Sequence, residues 1–453
     1  MHTTNSPHRL LRRSLFAGSL ASCFLAGLLA IYFTLPPALS PRTSAGEVQS
    51  DQESVSRLNR MGRRLRDLAQ AGVERWHAKG HRGRGVKVAI LDSGFRGYRD
   101  HLGKSLPSTV TVKSFRADGN LEARDSQHGI LCAEVVHAMA PDAELLLANW
   151  EADSPERFLD AARWARQQGA KVMTCSVIMP SWSDGEGGGP VHDSLAKILG
   201  SGAGPTDSIC IASAGNTARR HWSGPFRDHG DGVHEWQPGV TDNVLSPWGS
   251  EQSSIELCWN SPANYDLFIY ENEGVKAVEV ARSVASGGDN RRCAVARFQP
   301  ELGKRYFFRV KGSAKSTVPF HCITLHSGLQ HYSTRGSICF PADGPGVLAV
   351  GAVDEKNRRM SYSSCGPNSQ SPKPDLVAAV PFTSLWREKP FAGTSAAAPQ
   401  AAGLAAVLWS RHGEWTAEKV RGALRASARD LGTPGHDVEF GYGLVRLPDD
   451  EGK

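Results

Sequence analysis

Short apolar runs and helical patterns alternate along the first and last parts of the chain. The apolar runs are GVKVAILDSG, AELLLAN, AKVMTCSV, SICIASAGN and GVLAVGAV, and helical patterns between them include SPERFLDAARWARQQG and PVHDSLAKILGSG. This alternation predicts an α/β fold, with a parallel sheet covered by helices on both faces. Ligands of such sheets bind at the carboxyl ends of the strands. Asp92 and Asn216 stand near the ends of two of these runs, GVKVAILDSG and SICIASAGN.

The rhythm breaks between residues 226 and 335. Short runs there show partial alternation with a period of two, separated by Gly, Pro, Asn and Ser, and no helical pattern intervenes: SSIELCW, YDLFIY, CAVARF, RYFFRV and FHCITL. We therefore expect an all-β sandwich, inserted into the α/β domain.

The N-terminus carries an uncharged run from Leu15 to Leu35, and Arg9, Arg12 and Arg13 precede it. The run has 21 residues, enough to span a bilayer. Residues 1–40 are therefore predicted to be a signal peptide or a membrane anchor. Either way the bulk of the chain is exported, and an uncleaved run would associate residues 15–35 with the membrane, with the C-terminal mass outside.

Three export signals remain open at this end. Ala38-Leu39-Ser40 suits cleavage except for the Pro that follows, RRSLF loosely fits a twin-arginine signal, and LASC resembles a lipoprotein box.

The segment that follows changes character at residue 57. Residues 41–56 are rich in Ser, Gly, Pro and acidic side chains, which is typical of a linker. Residues 57–78 have a helical pattern, with an apolar stripe at Leu58, Met61, Leu65 and Leu68. The arginines between them form either a solvated face or a surface for anionic headgroups.

Composition narrows the classes of function. The net charge is only +6 over 453 residues, and no basic block carries interleaved aromatics, so we exclude a nucleic-acid partner. Besides Cys23 there are eight cysteines, an even number that permits disulfides in an exported chain. The sequence contains no CxxC pair, so we expect no zinc site. Cys132, Cys175 and Cys210 lie in apolar stretches and are expected to be buried thiols.

Ser395 begins an Ala- and Gly-rich helical stretch, in FAGTSAAAPQAAGLAAVLW. A serine at a helix start is often only a cap, but it can be a nucleophile if a base, an orienting carboxylate and an oxyanion donor exist. His128 is the candidate base, Asp92 the carboxylate and Asn216 the donor. Taken singly, each has a plainer interpretation as a turn or a structural residue, and His137 is a competing imidazole.

The order Asp, His, Asn, Ser on one α/β frame resembles that of subtilisin-like serine peptidases. The motifs that carry the resemblance are VKVAILDSGF, the HG at 128–129, ASAGN, VLAVGAVDEKNRRMSYSSCGP, KPDLVAAV and GTSAAAP. It covers about residues 72–225 and 336–447, and it divides the chain into a catalytic domain at 71–225 and 336–453 around the inserted segment.

The resemblance implies an exported endopeptidase that cleaves protein or peptide substrates without a cofactor or metal. Ser395 would attack the peptide carbonyl, His128 would take its proton, and Asp92 would orient His128. The side chain of Asn216 and the Ser395 N–H would hold the oxyanion.

The sequence departs from the family at several positions. The substrate-lining strand reads Ser176-Val177-Ile178-Met179 instead of Ser-Leu-Gly-Gly, which predicts a narrowed pocket and a preference for small P1 side chains. Cys339 and Phe340 lie in the segment that, by the resemblance, helps to floor that pocket. Ile130 replaces the usual Thr, the usual calcium loop has no room, and residues 41–70 are short for a folding pro-segment.

Two other functions stay open. A catalytically impaired relative could serve as an envelope binding protein, with Ile178 and Met179 closing the cleft. A sedolisin-type acid peptidase would use a Glu base, which the HG at 128–129 disfavours. Disulfides Cys258–Cys293 and Cys339–Cys365 are compatible with the sequence, which does not fix the pairing.

Overall fold

The structure is a computed structural model that describes residues 45–449, apart from 124–125, 275, 289–290, 313–318 and 369. The hydrophobic run at 15–35, the cleavage motifs and Cys23 lie outside the described residues. The chain divides into two units, Met1–Gln52 and Glu53–Lys453, and every sheet and cavity discussed below belongs to the second.

A seven-stranded parallel sheet forms the centre of this second unit. Its strands, in spatial order, are β17 (Leu376–Ala379), β16 (Val347–Val353), β5 (Ile209–Ser213), β4 (Ala170–Cys175), β1 (Lys87–Asp92), β3 (Glu144–Asn149) and β2 (Thr111–Ser114). The described helices are α1 (Ala45–Gln70), α2 (Val73–Ala78), α3 (His128–Met139), α4 (Pro155–Gln167), α5 (Pro190–Leu199), α6 (Thr394–Arg411) and α7 (Ala417–Ser427). The predicted α/β fold is confirmed.

Both faces of this sheet are buried. In β1, Val88 and Ile90 join the core formed with α3, α6 and α7, whereas Ala89 and Leu91 join the core formed with α4 and α5. Side chains that alternate between two covered faces explain why the strand reads as a continuous apolar run.

Helix α6 runs through the first of these cores and packs on α3. Its early alanines, Ala396, Ala397 and Ala398, are fully buried. At Gly403, a Cβ would lie 2.4 Å from the Cβ of Met139 in α3. No side chain fits at that distance, so the two helices are as close as their backbones permit.

Two antiparallel five-stranded sheets lie between β5 and β16 in the sequence. One has the order β10 (Ala277–Ser283), β9 (Tyr265–Asn272), β13 (Tyr306–Gly312), β7 (Asn243–Pro247) and β15 (Ser327–Leu329). The other has the order β11 (Ser286–Gly288), β12 (Arg291–Phe298), β8 (Ser253–Trp259), β14 (Pro319–Leu325) and β6 (His221–Pro225).

The two sheets enclose an aromatic core that includes Trp259, Tyr265, Phe308 and Phe320. The extra all-β part of the predicted fold is therefore confirmed. The antiparallel pairing already begins at β6, before the predicted boundary at residue 226, and the domain limits themselves stay a prediction.

The linker predicted at residues 41–56 is wrong for its larger part, because α1 already begins at Ala45. The helical pattern predicted at 57–78 is interrupted after Gln70 by Gly72, which has a φ of 74°. Over the described residues, the structure contains no helix with the length and hydropathy needed to cross a bilayer.

The eight described cysteines are present as thiols, so the suggested disulfides are wrong for this structure. Cys258 and Cys293 do face each other across β8 and β12, but the Cys293 sulfur lies 3.6 Å from the hydroxyl of Ser286. The Cys365 thiol donates to the carbonyl of Thr334 at 3.3 Å. Cys132, Cys175 and Cys210 are buried, as predicted.

Candidate active site

Four elements bring the predicted residues to the carboxyl edge of the parallel sheet. Asp92 is the last residue of β1, and Asn216 follows the end of β5 by one short turn. His128 is the first residue of α3, and Ser395 is the second residue of α6. Parallel strands end at one edge, so residues far apart in sequence meet there.

Asp92 and His128 form the tightest contact of the site. The His128 Nδ1 atom lies 2.8 Å from Oδ1 and 2.9 Å from Oδ2 of Asp92. The carboxylate is fully buried, and it also accepts a 2.7 Å hydrogen bond from the Ser93 backbone N–H. This contact fixes the orientation of the imidazole and leaves its Nε2 for a second partner.

The electrostatic surroundings of His128 favour its protonated form. Burial is the largest single influence and lowers the pKa of its imidazole, but the charge of Asp92, the electrostatic effect of Cys132 and the hydrogen bonds to both together leave the pKa well above 6.5. Cys132 lies beneath the pair, with its Sγ 3.5 Å from Asp92 Oδ2 and 3.7 Å from the carbonyl of Ser395. Burial raises the pKa of the Cys132 thiol to about 11, so this group is neutral near pH 7.

The Ser395 side chain is buried at the start of α6. Its Oγ donates a 3.4 Å hydrogen bond to the carbonyl of Ser176, and the Ser176 hydroxyl donates to the carbonyl of Ser395 at 3.3 Å. No hydrogen bond joins Ser395 to His128 among the described residues, although both side chains line the same cavity. A catalytic hydroxyl would have to turn from Ser176 toward His128.

The Asn216 amide is oriented by the residue before Ser395. Its Oδ1 accepts hydrogen bonds from both the N–H and the hydroxyl of Thr394, each at 3.0 Å. The amide nitrogen is thereby turned away from Thr394. At Gly393, whose φ is 86°, a Cβ would lie 3.1 Å from this nitrogen. Glycine therefore keeps space beside the one amide donor of the site.

A cavity of about 380 Å³ joins these groups. It is lined by Ser93, His128, Ala152, Ser176, Val177, Ile178, Ser213, Gly215, Asn216, Arg220, Trp248, Leu325, His326, Thr394 and Ser395. Trp248, Leu325 and His326 belong to the antiparallel part, which therefore forms one wall of the cavity.

Arg220 connects this wall to Asn216. Its guanidinium donates to the Asn216 carbonyl at 2.6 and 3.0 Å and to the carbonyl of Thr324 in β14 at 3.4 Å. It also lies over the ring of Trp248, 4.7 Å from the centroid. Burial lowers the pKa of Arg220.

The predicted substrate-binding residues lie at two depths. Ser176, Val177 and Ile178 line the cavity, whereas Met179 is buried and donates its N–H to the carbonyl of Phe340 at 3.1 Å. Ile178 and Met179 also line a neighbouring cavity of about 480 Å³. Ile178 thus stands between the two cavities.

Cys339 and Phe340 are buried and line neither of these two cavities, contrary to the floor expected for them. Phe340 packs instead on the rings of Phe158 and Trp182.

Sequence reasoning missed Cys132, Arg220 and Trp248 as parts of the site. Cys132 carried a usable signal, because residues four apart share one face of a helix and Cys132 follows His128 at that spacing. The competing imidazole, His137, is half-buried at the other end of α3, where burial lowers its pKa to about 4.

Asp92, His128 and Cys132 could in principle hold a metal, since their ligand atoms lie within 4.8 Å of one another. Metal ligation needs a deprotonated thiol, and the raised pKa of Cys132 opposes this. The buried carboxylate is also already engaged by His128. The donor set therefore fits proton transfer better than a resident metal.

A parallel sheet with an Asp–His pair and a helix-borne serine at its carboxyl edge defines a serine-hydrolase type of site. The family model described as "Subtilase family" matches residues 83–247 and 248–443. The chain belongs to the subtilase family.

Curated relatives match a short part of the chain. Subtilisin E of Bacillus subtilis is 34% identical over 120 residues, which are 25% of this chain and 29% of that protein. The thermostable alkaline protease of Halalkalibacterium halodurans is 35% identical over 111 residues, 24% of this chain and 30% of that protein. The chain thus spans less than a third of the length of either relative.

The solved CspB protease of Clostridium perfringens resembles the chain over a greater length. The two share a TM-score of 0.58 and 14% identity, over 81% of this chain and 92% of that one. At this identity, the likeness concerns the fold.

Proposed function

We propose that the chain is a serine endopeptidase that hydrolyses peptide bonds through an acyl-enzyme. The observation that carries the proposal is the close pairing of a buried Asp92 with His128, in the cavity that also receives Ser395 and Asn216. Membership of the subtilase family supports the same chemistry.

In the proposed mechanism, the Ser395 hydroxyl leaves the Ser176 carbonyl and donates to Nε2 of His128. The imidazole takes the proton as Oγ attacks the substrate carbonyl, and Asp92 stabilises the imidazolium. The developing oxyanion accepts from the Asn216 amide and the Ser395 N–H at the start of α6. His128 then protonates the leaving amine, and water releases the acyl group.

The proposed substrates are proteins or peptides with small P1 side chains. Val177 and Ile178 occupy the cavity beside Ser395, and Met179 is packed behind them. Ile178 and Met179 take space that the two family glycines would leave open.

We also propose that the enzyme acts outside the cytoplasm, either secreted or membrane-anchored. The arginines before the uncharged run Leu15–Leu35 support this location. Sequencing the mature N-terminus from the native host tests it: a start near residue 41 indicates a cleaved signal, and an intact run in the membrane fraction indicates an anchor. Recovery of the intact chain in the cytoplasm would contradict export.

A fluorophosphonate probe tests the hydrolase proposal. In the unmodified chain we expect labelling that increases as the pH is raised from neutral, because the reaction needs the neutral His128 ring. We expect no labelling in Ser395→Ala. His128→Ala should lose most of the labelling. Ser410→Ala is a matched control, because it makes the same change in the same helix outside the cavity.

The second candidate function is an impaired subtilase that binds envelope partners. The Ser395–Ser176 hydrogen bond, in place of one to His128, favours this alternative. A folded chain that the probe fails to label at any pH would support it, while labelling only in acid would favour a sedolisin-type mechanism.

A further inference from the structure

Helix α1 presents an apolar stripe to solvent. Val55, Leu58, Met61 and Leu65 are 57%, 67%, 47% and 55% exposed. They recur at intervals of three and four residues, so they form one continuous face. In a soluble helix such a stripe normally packs on the core.

The inward side of α1 makes polar contacts beside Leu68, which packs on the core. The Arg64 guanidinium is buried and donates to Glu134 of α3 at 2.6 Å and to the carbonyl of Thr383 at 2.7 Å. Asp67 accepts the Thr383 N–H at 2.9 Å. Because these specific contacts fix the rotation of the helix, the apolar stripe is directed away from the protein.

Exposed arginines border the apolar stripe. Arg57 lies one turn before Met61 and flanks the stripe on one side, whereas Arg66 flanks it on the other side in the turn of Leu65, and Arg63 lies one turn before Arg66. From residue 55 to residue 70 the only acidic side chain is Asp67, which faces inward. Over residues 55–70, the charged side chains that α1 exposes are therefore all cations.

We infer that this outer face lies on the surface of an anionic lipid bilayer. Apolar side chains would enter the boundary between headgroups and acyl chains, and the arginines would contact lipid phosphates. The uncharged run Leu15–Leu35 precedes this face in the sequence, and a membrane anchor there would keep the chain at a bilayer. The inference is independent of catalytic activity.

A fluorescent label that reports local polarity tests this inference in the full chain. Met61→Cys places the label in the stripe, and Asn59→Cys is the matched control, exposed on the other side of the same helix turn. Cys23→Ser and Cys293→Ser remove competing thiols, since the remaining described cysteines are buried. The labelled chains are mixed with vesicles of phosphatidylglycerol or of phosphatidylcholine, with or without nitroxide-bearing lipids.

In phosphatidylglycerol vesicles, we expect a blue shift and nitroxide quenching at position 61 and neither at position 59. Arg57→Gln/Arg63→Gln/Arg66→Gln should weaken partition of the helix at least about tenfold.

Three results would overturn the inference. The first is equal solvent exposure of both labels on these vesicles, and the second is equal immersion in phosphatidylcholine. The third is shielding of position 61 without lipid quenching, which would mean that a second copy or the N-terminal run covers the stripe.

Discussion

The parallel-sheet part and the antiparallel part of the molecule are packed by opposite means. Around the parallel sheet, α3 and α6 touch through Gly403 and Met139, with alanines elsewhere along α6. In the antiparallel part, large rings fill the core, and Trp259 and Tyr265 lie 5.0 Å apart, edge to face. Small residues let the backbones of α3 and α6 approach closely, whereas rings mainly supply buried apolar area.

The two parts also divide the site unequally. All four proposed catalytic groups come from the parallel-sheet part, and the antiparallel part supplies only walls, with Arg220 at the junction. This division predicts that substitutions reduce activity most at Asp92 and His128 and least at Arg220, next to the wall formed by the antiparallel part.

The largest effect is expected for Asp92→Asn. Loss of the carboxylate should lower kcat by about 10⁴-fold, because the imidazolium loses its stabilising charge and its tautomer is no longer fixed. Asp92 raises the pKa of His128, and the reaction needs the neutral ring. Activity of the unmodified chain should therefore fall as pH drops through a value above 6.5, and the variant's acid limb should move to lower pH.

Turnover of a peptide substrate across a pH series measures both effects. The exposed Asp118→Asn change is the control and should leave the profile unchanged. If the acid limb of the Asp92→Asn profile stayed at the same pH, it would not report the titration of His128.

A smaller loss is expected for Asn216→Leu, which keeps the approximate shape and removes the amide donor. Loss of one oxyanion donor costs about 10²- to 10³-fold in kcat. KM should change little, because the donor acts on charge that develops in the transition state. Steady-state kinetics check this split, and a change confined to KM would show that Asn216 binds substrate instead.

Ile178→Gly should alter specificity more than rate. Removing the side chain between the two cavities should raise kcat/KM for aromatic over alanine P1 residues by about 10- to 100-fold. A peptide library that varies P1 gives the measurement. Val295→Ala is the control, since Val295 lines only the neighbouring cavity. A preference of the unmodified chain for aromatic P1 residues would contradict the proposal that Ile178 restricts the P1 pocket.

The smallest effect is expected at the junction. Arg220→Met keeps much of the side-chain length but loses the hydrogen bonds to Asn216 and Thr324, so kcat should fall about tenfold through loss of positioning. Arg309→Met, another arginine over aromatic rings but outside the cavity, should leave kcat unchanged. Equal kcat values in the two variants would show that the contact of Arg220 with the antiparallel part does not contribute to catalysis.

The parallel sheet and its catalytic candidates could be predicted because burial restricts the strands to apolar residues and the proposed reaction restricts the residue types at the strand and helix ends. A buried strand ending in Asp92 and a serine at the start of a small-residue helix are local patterns. The wall formed by Trp248, Leu325 and His326 depends on how two parts of the chain pack, which no local pattern encodes. The rotation of α1 was equally hidden, because the Arg64–Glu134 contact joins positions far apart in sequence.

The contact at Gly403 bears on how this protein could be engineered. Replacing a mid-helix glycine with alanine ordinarily stiffens a helix and stabilises a fold. Here the added methyl group would push apart the two helices that begin with His128 and Thr394-Ser395, so a routine thermostabilising substitution would widen the separation between the proposed proton acceptor and the proposed nucleophile.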